Sequence, residues 1–388
     1  MSGESLLRDV EFLAGRLPHR GGVTENERLA AEYLHERFEA STPLVQTEDF
    51  HSMDAYPHLF ALYYLDFSVA VCAIAYWWPW IGLAYGLASF LMYLGEFTGY
   101  STMSRFLPHY ETQNVSARFP CRAPERLVVL TAHYDSPKVY PWTAPGGTRR
   151  LRWMHIALVC CMALMLISCA AEGLNVFAEF GLRFDLIVRW TGAAVLLGAA
   201  VSLYTGARAS NFTRGANSNA AGAAVLLELA EGLRDKPLES TEVWLVATGS
   251  KEMWLSGMRQ LFRGLEVDKA STYFINVAGV GAGSLRYVTG EGMMHVYRAD
   301  RELVDLAESH SAEFGAKALV HRGLPTDALI PLARGYKAMS IVATGEDDLP
   351  VEWNQESDTV DVVEPECLVR AAGYVERILR GIDSAGVK

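Results

Sequence analysis

Two stretches of this chain tolerate very few environments. From Leu59 to Gly99 only Asp66 and Glu96 carry a charge, and Trp77, Trp78, Pro79 and Trp80 stand in the middle. The apolar spans on either side of that aromatic turn run for about 17–19 residues, the length needed to cross a bilayer core. A helix pair buried in a soluble core is the alternative, but soluble cores seldom bury forty such residues in succession. A second apolar pair follows, Ile156 to Ala171 and Leu186 to Tyr204. Arg189 blurs the start of its second span, although an arginine near a span's end can reach the interface. The expectation is four transmembrane helices in two hairpins, packed against a lipid bilayer.

An even number of crossings puts the polar segments on one side. The expected organisation is a discontinuous domain (1–58, 100–152 and 206–388) interrupted by hairpins at 59–99 and 153–205. Near the helix ends, Arg105, Arg149, Arg150, Arg152, Arg208 and Arg214 lie on the domain side. Only Arg183 and Arg189 lie opposite. This bias favours a multi-pass protein of the cell membrane with its domain in the cytoplasm. The stretch Met1 to Glu11 is polar and acidic, unlike a signal peptide.

Composition narrows the partners. Apolar residues make up 51% of the 388 and charged residues 20%, with a formal charge of −11. No basic patch exists to hold a phosphate backbone, so a nucleic-acid partner is excluded. Six cysteines are scattered without a CxxC pair, which reads as free thiols in a reducing compartment.

Outside the apolar pairs, helix and strand patterns alternate. Thr24 with Glu27 three residues later opens a helix as a capping box. Strands are expected at 44–50, 114–118, 127–132, 242–248, 272–277 and 338–343. Helices are expected at 6–17, 222–233, 255–262, 302–314 and 365–380. Pro137, Pro141, Pro145, Gly146 and Gly147 mark an irregular loop. This rhythm implies an α/β fold with a mostly parallel central sheet and helices on both faces.

The chemistry points to one strand. Val128-Val129-Leu130-Thr131-Ala132 reads as buried, ends in His133 and is followed by Asp135, where α/β folds put their sites. Further short stretches keep it company: Asn114-Val115, Gly215-Ala216-Asn217-Ser218-Asn219-Ala220-Ala221-Gly222, Thr248-Gly249-Ser250-Lys251-Glu252, Ile275-Asn276-Val277-Ala278-Gly279 and Ser357-Asp358-Thr359-Val360. In order and spacing they resemble the co-catalytic zinc aminopeptidase and glutamate carboxypeptidase family, which also includes glutaminyl cyclases and non-catalytic receptors. The resemblance spans almost all of the soluble part and implies the zinc-dependent exopeptidase fold.

It also implies a site of two zinc ions held by imidazoles and carboxylates, with a glutamate as general base. His133 matches the first histidine ligand, Asp135 the aspartate that orients it, and Glu252 a glutamate ligand. Ser218 stands at the bridging aspartate, Lys251 at the general base, Ala278 at an aspartate ligand, and Asn354 at the second histidine. A serine hydroxyl cannot bridge two divalent cations as a carboxylate does, and alanine offers no ligand. A lysine ammonium opposes a nearby metal, but could pair with Glu252 or Asp135. Gly215 and Gly222 read as turn and packing glycines. His295, His310 and His321 lack ligand spacing, and no GxSxG elbow is present.

The resemblance therefore implies a membrane-embedded, aminopeptidase-like protein that is catalytically inactive, a binding or scaffold component without a cofactor. A peptide or membrane-protein partner would occupy its vestigial cleft. The alternative is an active metal-dependent aminopeptidase releasing N-terminal residues, with one zinc held by His133, Glu252 and an aspartate such as Asp135, Asp327 or Asp358.

Overall fold

The computed structural model describes residues 3–143, 147–176, 183–346 and 348–386. Pro145 and Gly146 of the expected loop lie outside the described residues. The chain divides into two compact units, one of residues 1–54, 109–139 and 211–388, the other of residues 55–108 and 140–210.

In the first unit, nine strands among the described residues form one sheet. In chain order they are β1 (Val45–Ser52), β2 (Tyr110–Phe119), β3 (Arg126–His133), β4 (Thr241–Thr248), β5 (Thr272–Ala278), β6 (Ser284–Glu291), β7 (Tyr297–Arg298), β8 (Lys317–His321) and β9 (Lys337–Thr344). The spatial order is β1-β2-β4-β3-β5-β9-β6-β7, with β8 beside β6. Only the centre, β4-β3-β5-β9, is continuously parallel. β1 and β2 pair antiparallel and β2 joins β4 antiparallel. At the other edge β6 runs antiparallel to β7 and β9, and parallel to β8.

The expectation of a mostly parallel sheet is thus corrected: the sheet is mixed. The expected strands do not include β6, β7 and β8, which lie at one edge of the sheet. β7 is two residues long and β8 is largely exposed, so neither carries a buried apolar run. Nor does local pattern orient β1 and β2, which only pairing decides.

The parallel centre follows from its side chains. Val128, Val129 and Leu130 of β3 are fully buried, as a strand covered on both faces requires. Val128 and Leu130 join one apolar cluster with Leu226 and Ala230 of the helix Ala221–Asp235 and Val375 and Ile378 of the helix Pro365–Gly386. Val129 faces the opposite cluster with Met258, Phe274, Leu329 and Ile330. From β3 the chain passes to β4 on one side, then returns to β5 on the other. Such a reversal, at the C-terminal end of β3 beside His133, is where open α/β sheets place their sites.

The second unit is helical: Tyr56–Ser68, which continues as helix to Trp77, then Pro79–Glu96, Gly147–Gly173 and Phe184–Ala209. Small residues permit close helix approach. A Cβ on Gly82 would lie 2.4 Å from the Cβ of Ala75, and one on Gly192 would lie 2.5 Å from the sulfur of Met165.

Among the described residues three helices are long and apolar enough to cross a membrane: Tyr56–Trp77, Arg150–Gly173 and Phe184–Ala209. This corrects the expected two hairpins and four spans. The helix Pro79–Glu96 falls short because Pro79, Trp80, two tyrosines, three glycines and Glu96 dilute its apolar residues. The assignment of the domain to the cytoplasmic side counted arginines at the ends of four spans, and falls with that count. Arg189 does not reach for an interface. It is fully buried, donates to the Val71 carbonyl at 3.1 Å and pairs with Asp185 at 3.3 Å and with Glu172.

Candidate functional site

Loops at the C-terminal ends of the parallel strands build the site. His133 ends β3, and its Nδ1 lies 3.3 Å from Oδ1 of the fully buried Asp135. The Asp135 carboxylate also accepts the backbone N–H groups of Lys251 (3.0 Å) and Glu252 (2.8 Å). One aspartate thereby ties the loop after β3 to the loop after β4. Gly249 starts the latter loop, where no side chain fits: a Cβ would meet the Gln113 carbonyl at 2.2 Å. Ser250 takes a left-handed conformation with φ of 48°.

Lys251 and Glu252 are neighbours in sequence and in space. Nζ sits 2.8 Å from Oε1, and both side chains are more than nine-tenths buried. Burial works against the ammonium, but Glu252, Asp135 and Asp327 outweigh it and hold its pKa above the ordinary lysine value. Of the two partners the sequence allowed, the ammonium takes Glu252.

Asp327 completes this cluster. Its Oδ2 accepts from the Thr248 hydroxyl at 2.5 Å, and its Oδ1 has no hydrogen-bond partner among the described residues. Burial raises its pKa, while His133 and Lys251 oppose the rise.

A second group gathers around the turn before the helix Ala221–Asp235. The Asp358 carboxylate accepts the N–H groups of Asn217 (2.7 Å) and Ser218 (3.1 Å). Asn217 Oδ1 accepts from Gly281 at 2.7 Å and from Ala282 at 3.1 Å, pinning the loop after β5. A Cβ on Gly222 would stand 2.5 Å from the Val277 carbonyl, so glycine lets the turn bearing Ser218 meet the end of β5, where Ala278 sits. Gly215 has a φ of 61°, where glycine is favoured. Asn354 is buried with a φ of 54°, and its Oδ1 has no hydrogen-bond partner among the described residues.

Arg20 joins the two groups. It is not among the expected site residues. Fully buried, it donates to the carbonyls of Tyr134 (2.8 Å), Leu13 (2.5 Å), Arg214 (2.8 Å) and Gly215 (2.9 Å), and to Asn219 Oδ1 (2.5 Å). Burial lowers its pKa to about 10 against the pull of Asp358 and Asp135. The signal was an arginine inside Pro18-His19-Arg20-Gly21-Gly22, a turn where a surface charge is the usual reading. Glu27 was read only as a helix cap. Its carboxylate also reaches the loop after β4, accepting from the Ser250 N–H at 2.7 Å.

A two-zinc centre does not fit these residues. Among those described, no three His, Cys, Asp or Glu side chains are arranged to hold a metal ion. Both Asp135 oxygens serve backbone N–H groups, and Glu252 pairs with an ammonium. Paired with that ammonium, Glu252 is not offered to a metal.

A profile of peptidase family M28 matches residues 192–378. No curated protein sequence matches the chain. Solved structures share the fold at low identity. LapB from Legionella pneumophila aligns at 11% identity, covering 99% of this chain and 72% of its own, with a TM-score of 0.56. The zinc aminopeptidase BSAP from Bacillus subtilis aligns at 12%, with coverages of 98% and 95% and a TM-score of 0.57. A Porphyromonas gingivalis glutaminyl cyclase aligns at 12%, with coverages of 98% and 98% and a TM-score of 0.56.

Proposed function

This chain has the zinc-exopeptidase fold of peptidase family M28, and from that premise we propose that it acts at a membrane as a noncatalytic binding or scaffold component. The observation that carries the reading is the buried Lys251–Glu252 ion pair. His133 and Glu252 stand at retained ligand positions and Asp135 orients His133. Lys251 stands where the general base belongs, and Ser218, Ala278 and Asn354 stand where three ligands do. A lysine already paired with a carboxylate and held in its charged form cannot take a proton from water. The cleft at the end of β3 then serves recognition: a peptide, or a segment of a membrane protein, occupies it without being cut.

The membrane half of the reading rests on what the second unit exposes. Trp77, Trp78, Trp80, Ile81, Leu91, Leu164, Ile167, Trp190 and Val201 are each more than half exposed. Among the described residues, the exposed large hydrophobics of the first unit are only Leu29, Leu44, Tyr110 and Val320. Apolar surface concentrated on long apolar helices calls for an apolar medium.

Two measurements test this. The purified chain is expected not to hydrolyse aminoacyl-anilides, with or without added zinc or manganese; turnover abolished by chelator refutes the noncatalytic reading. In cells the protein is expected to stay in the membrane pellet through alkaline carbonate extraction and to leave it in detergent. Release by carbonate alone refutes the membrane reading.

A further inference from the structure

The helices of the second unit carry exposed aromatic rings at both ends. At one end the Tyr93 hydroxyl lies 3.0 Å from His155 Nδ1, and the rings of His58 and Tyr204 are 5.2 Å apart. The start of Tyr56–Ser68, the end of Pro79–Glu96, the start of Gly147–Gly173 and the end of Phe184–Ala209 therefore meet there. Tyr100, Phe106, Trp153 and Tyr204 are exposed around that end. At the other end a Cβ on Gly173 would meet the Trp80 ring at 3.0 Å, and Trp77, Trp78, Trp80 and Phe184 are exposed. From Trp153 to Gly173 the helix rises about 30 Å, roughly the thickness of a bilayer's hydrocarbon core. Aromatic rings at both margins of such a core sit at headgroup level.

The two ends differ in charge. At the Trp80 end Arg183 pairs with Glu172 at 2.6 Å and Arg189 pairs with Asp185 at 3.3 Å, so two arginines meet two carboxylates. At the Trp153 end Arg105, Arg150 and Arg208 are exposed, and no carboxylate among the described residues pairs with them. The Arg208 guanidinium lies 5.2 Å from the centre of the Tyr204 ring, and that of Arg152 lies 5.8 Å from the centre of the Trp153 ring. Within this unit the described carboxylate at that end is Glu96. It is fully buried and turned inward, accepting from the hydroxyls of Tyr63 at 2.7 Å and Ser101 at 3.0 Å.

We propose that the Trp153 end of the second unit binds anionic phospholipid headgroups, with Arg105, Arg150 and Arg208 taking their phosphates. The proposal rests on the membrane reading above and adds to it the chemistry of the lipid. Guanidinium donors match phosphate oxygens two at a time. A zwitterionic headgroup brings its own ammonium and leaves the three arginines uncompensated, whereas an anionic one supplies the missing charge. Each arginine beside an anionic surface adds roughly fivefold to the affinity. The Trp80 end has its arginines already paired and carries no such preference.

The full chain is purified in detergent with an equimolar mixture of phosphatidylglycerol and phosphatidylcholine of the same acyl chains, and the lipids it retains are counted by native mass spectrometry. The wild type is expected to favour phosphatidylglycerol by about fivefold or more. The combined variant Arg105→Gln, Arg150→Gln and Arg208→Gln should retain the two lipids equally, while lysine at the same three positions should keep most of the preference. Arg183→Gln, at the other end, should leave it unchanged. Excess inorganic phosphate should not displace the bound phosphatidylglycerol. Equal retention by the wild type overturns the proposal, as does a combined glutamine variant that keeps the preference. Displacement by inorganic phosphate would reveal a site for free phosphate and overturn the assignment to lipid. Should the combined variant fail to fold, the three single glutamine variants are read in its place, and an unchanged preference in all three overturns the proposal. Carbonate extraction tests the membrane reading separately: a chain that resists carbonate yet shows no lipid preference refutes this inference alone.

Discussion

Glu27 and Ser250 are 223 residues apart in sequence and joined by two hydrogen bonds, from the Ser250 N–H at 2.7 Å and its hydroxyl at 3.1 Å to the same Glu27 oxygen. The other oxygen accepts from the Val23 N–H at 2.6 Å and the Thr112 hydroxyl at 3.0 Å. Burial and then the charge of Asp135 push the Glu27 pKa up from 4.5 to about 8, although these donors pull it down. Folding therefore holds a proton that the unfolded chain gives up. The stability this contributes is complete below the unfolded pKa and is lost as pH rises through about 8. Melting temperature should fall between about pH 5 and 9. Glu27→Gln should flatten that slope while lowering stability throughout, because an amide nitrogen then faces a donor. Parallel wild-type and variant profiles would refute the assignment.

Arg20 should be among the costliest single truncations in the first unit. Arg20→Ala strands five acceptors, four of them buried, and removes a cation that acts on Asp358 and Asp135, a loss of about 3–5 kcal/mol. Lysine cannot reproduce the forked geometry, so Arg20→Lys should recover less than half of it. Denaturant titration of both variants checks this; a lysine variant as stable as wild type would show that charge alone matters.

The Lys251–Glu252 pair should behave as a unit. Lys251→Ala in zinc-free buffer leaves Glu252 buried and unpaired, costing about 3–5 kcal/mol. Adding Glu252→Gln removes the stranded charge and should restore much of the loss. A double-mutant cycle reads the coupling directly, and additive losses would mean the two side chains do not depend on each other.

Two glycines of one helix should part company. Gly222→Ala drives a methyl group to 2.5 Å from the Val277 carbonyl, and should cost about 1–3 kcal/mol. Gly232 lies in the same helix, and a Cβ there meets nothing within 4 Å. Gly232→Ala should be neutral or stabilise by about 0.5–1 kcal/mol. Equal melting temperatures for the two variants would show that helix propensity, not the approach to β5, governs both positions.

What the sequence determined by itself was whatever local pattern encodes. The apolar run of β3, the periodicity of the helices and the glycines of the 215–222 turn announce an α/β core, because burial on both faces leaves no room for polar residues. The motifs around His133, Ser218 and Glu252 carried the family resemblance, because their spacing is a property of the chain. The concentration of apolar residues in 59–99 and 153–205 was equally plain. Only the tertiary structure decided the rest. Strand direction depends on partners far along the chain, and so the edges of the sheet were hidden, above all the two-residue β7 and the exposed β8. Arg20 belongs to no motif, and only the fold closes five acceptors from three separate stretches around it. Arg189 looked like a snorkelling residue until Glu172 and Asp185 met it inside the second unit. Lys251 read as a lost base that could pair with Glu252 or Asp135. Only the fold puts its ammonium on Glu252, at 2.8 Å, because a buried charge is defined by the groups that surround it.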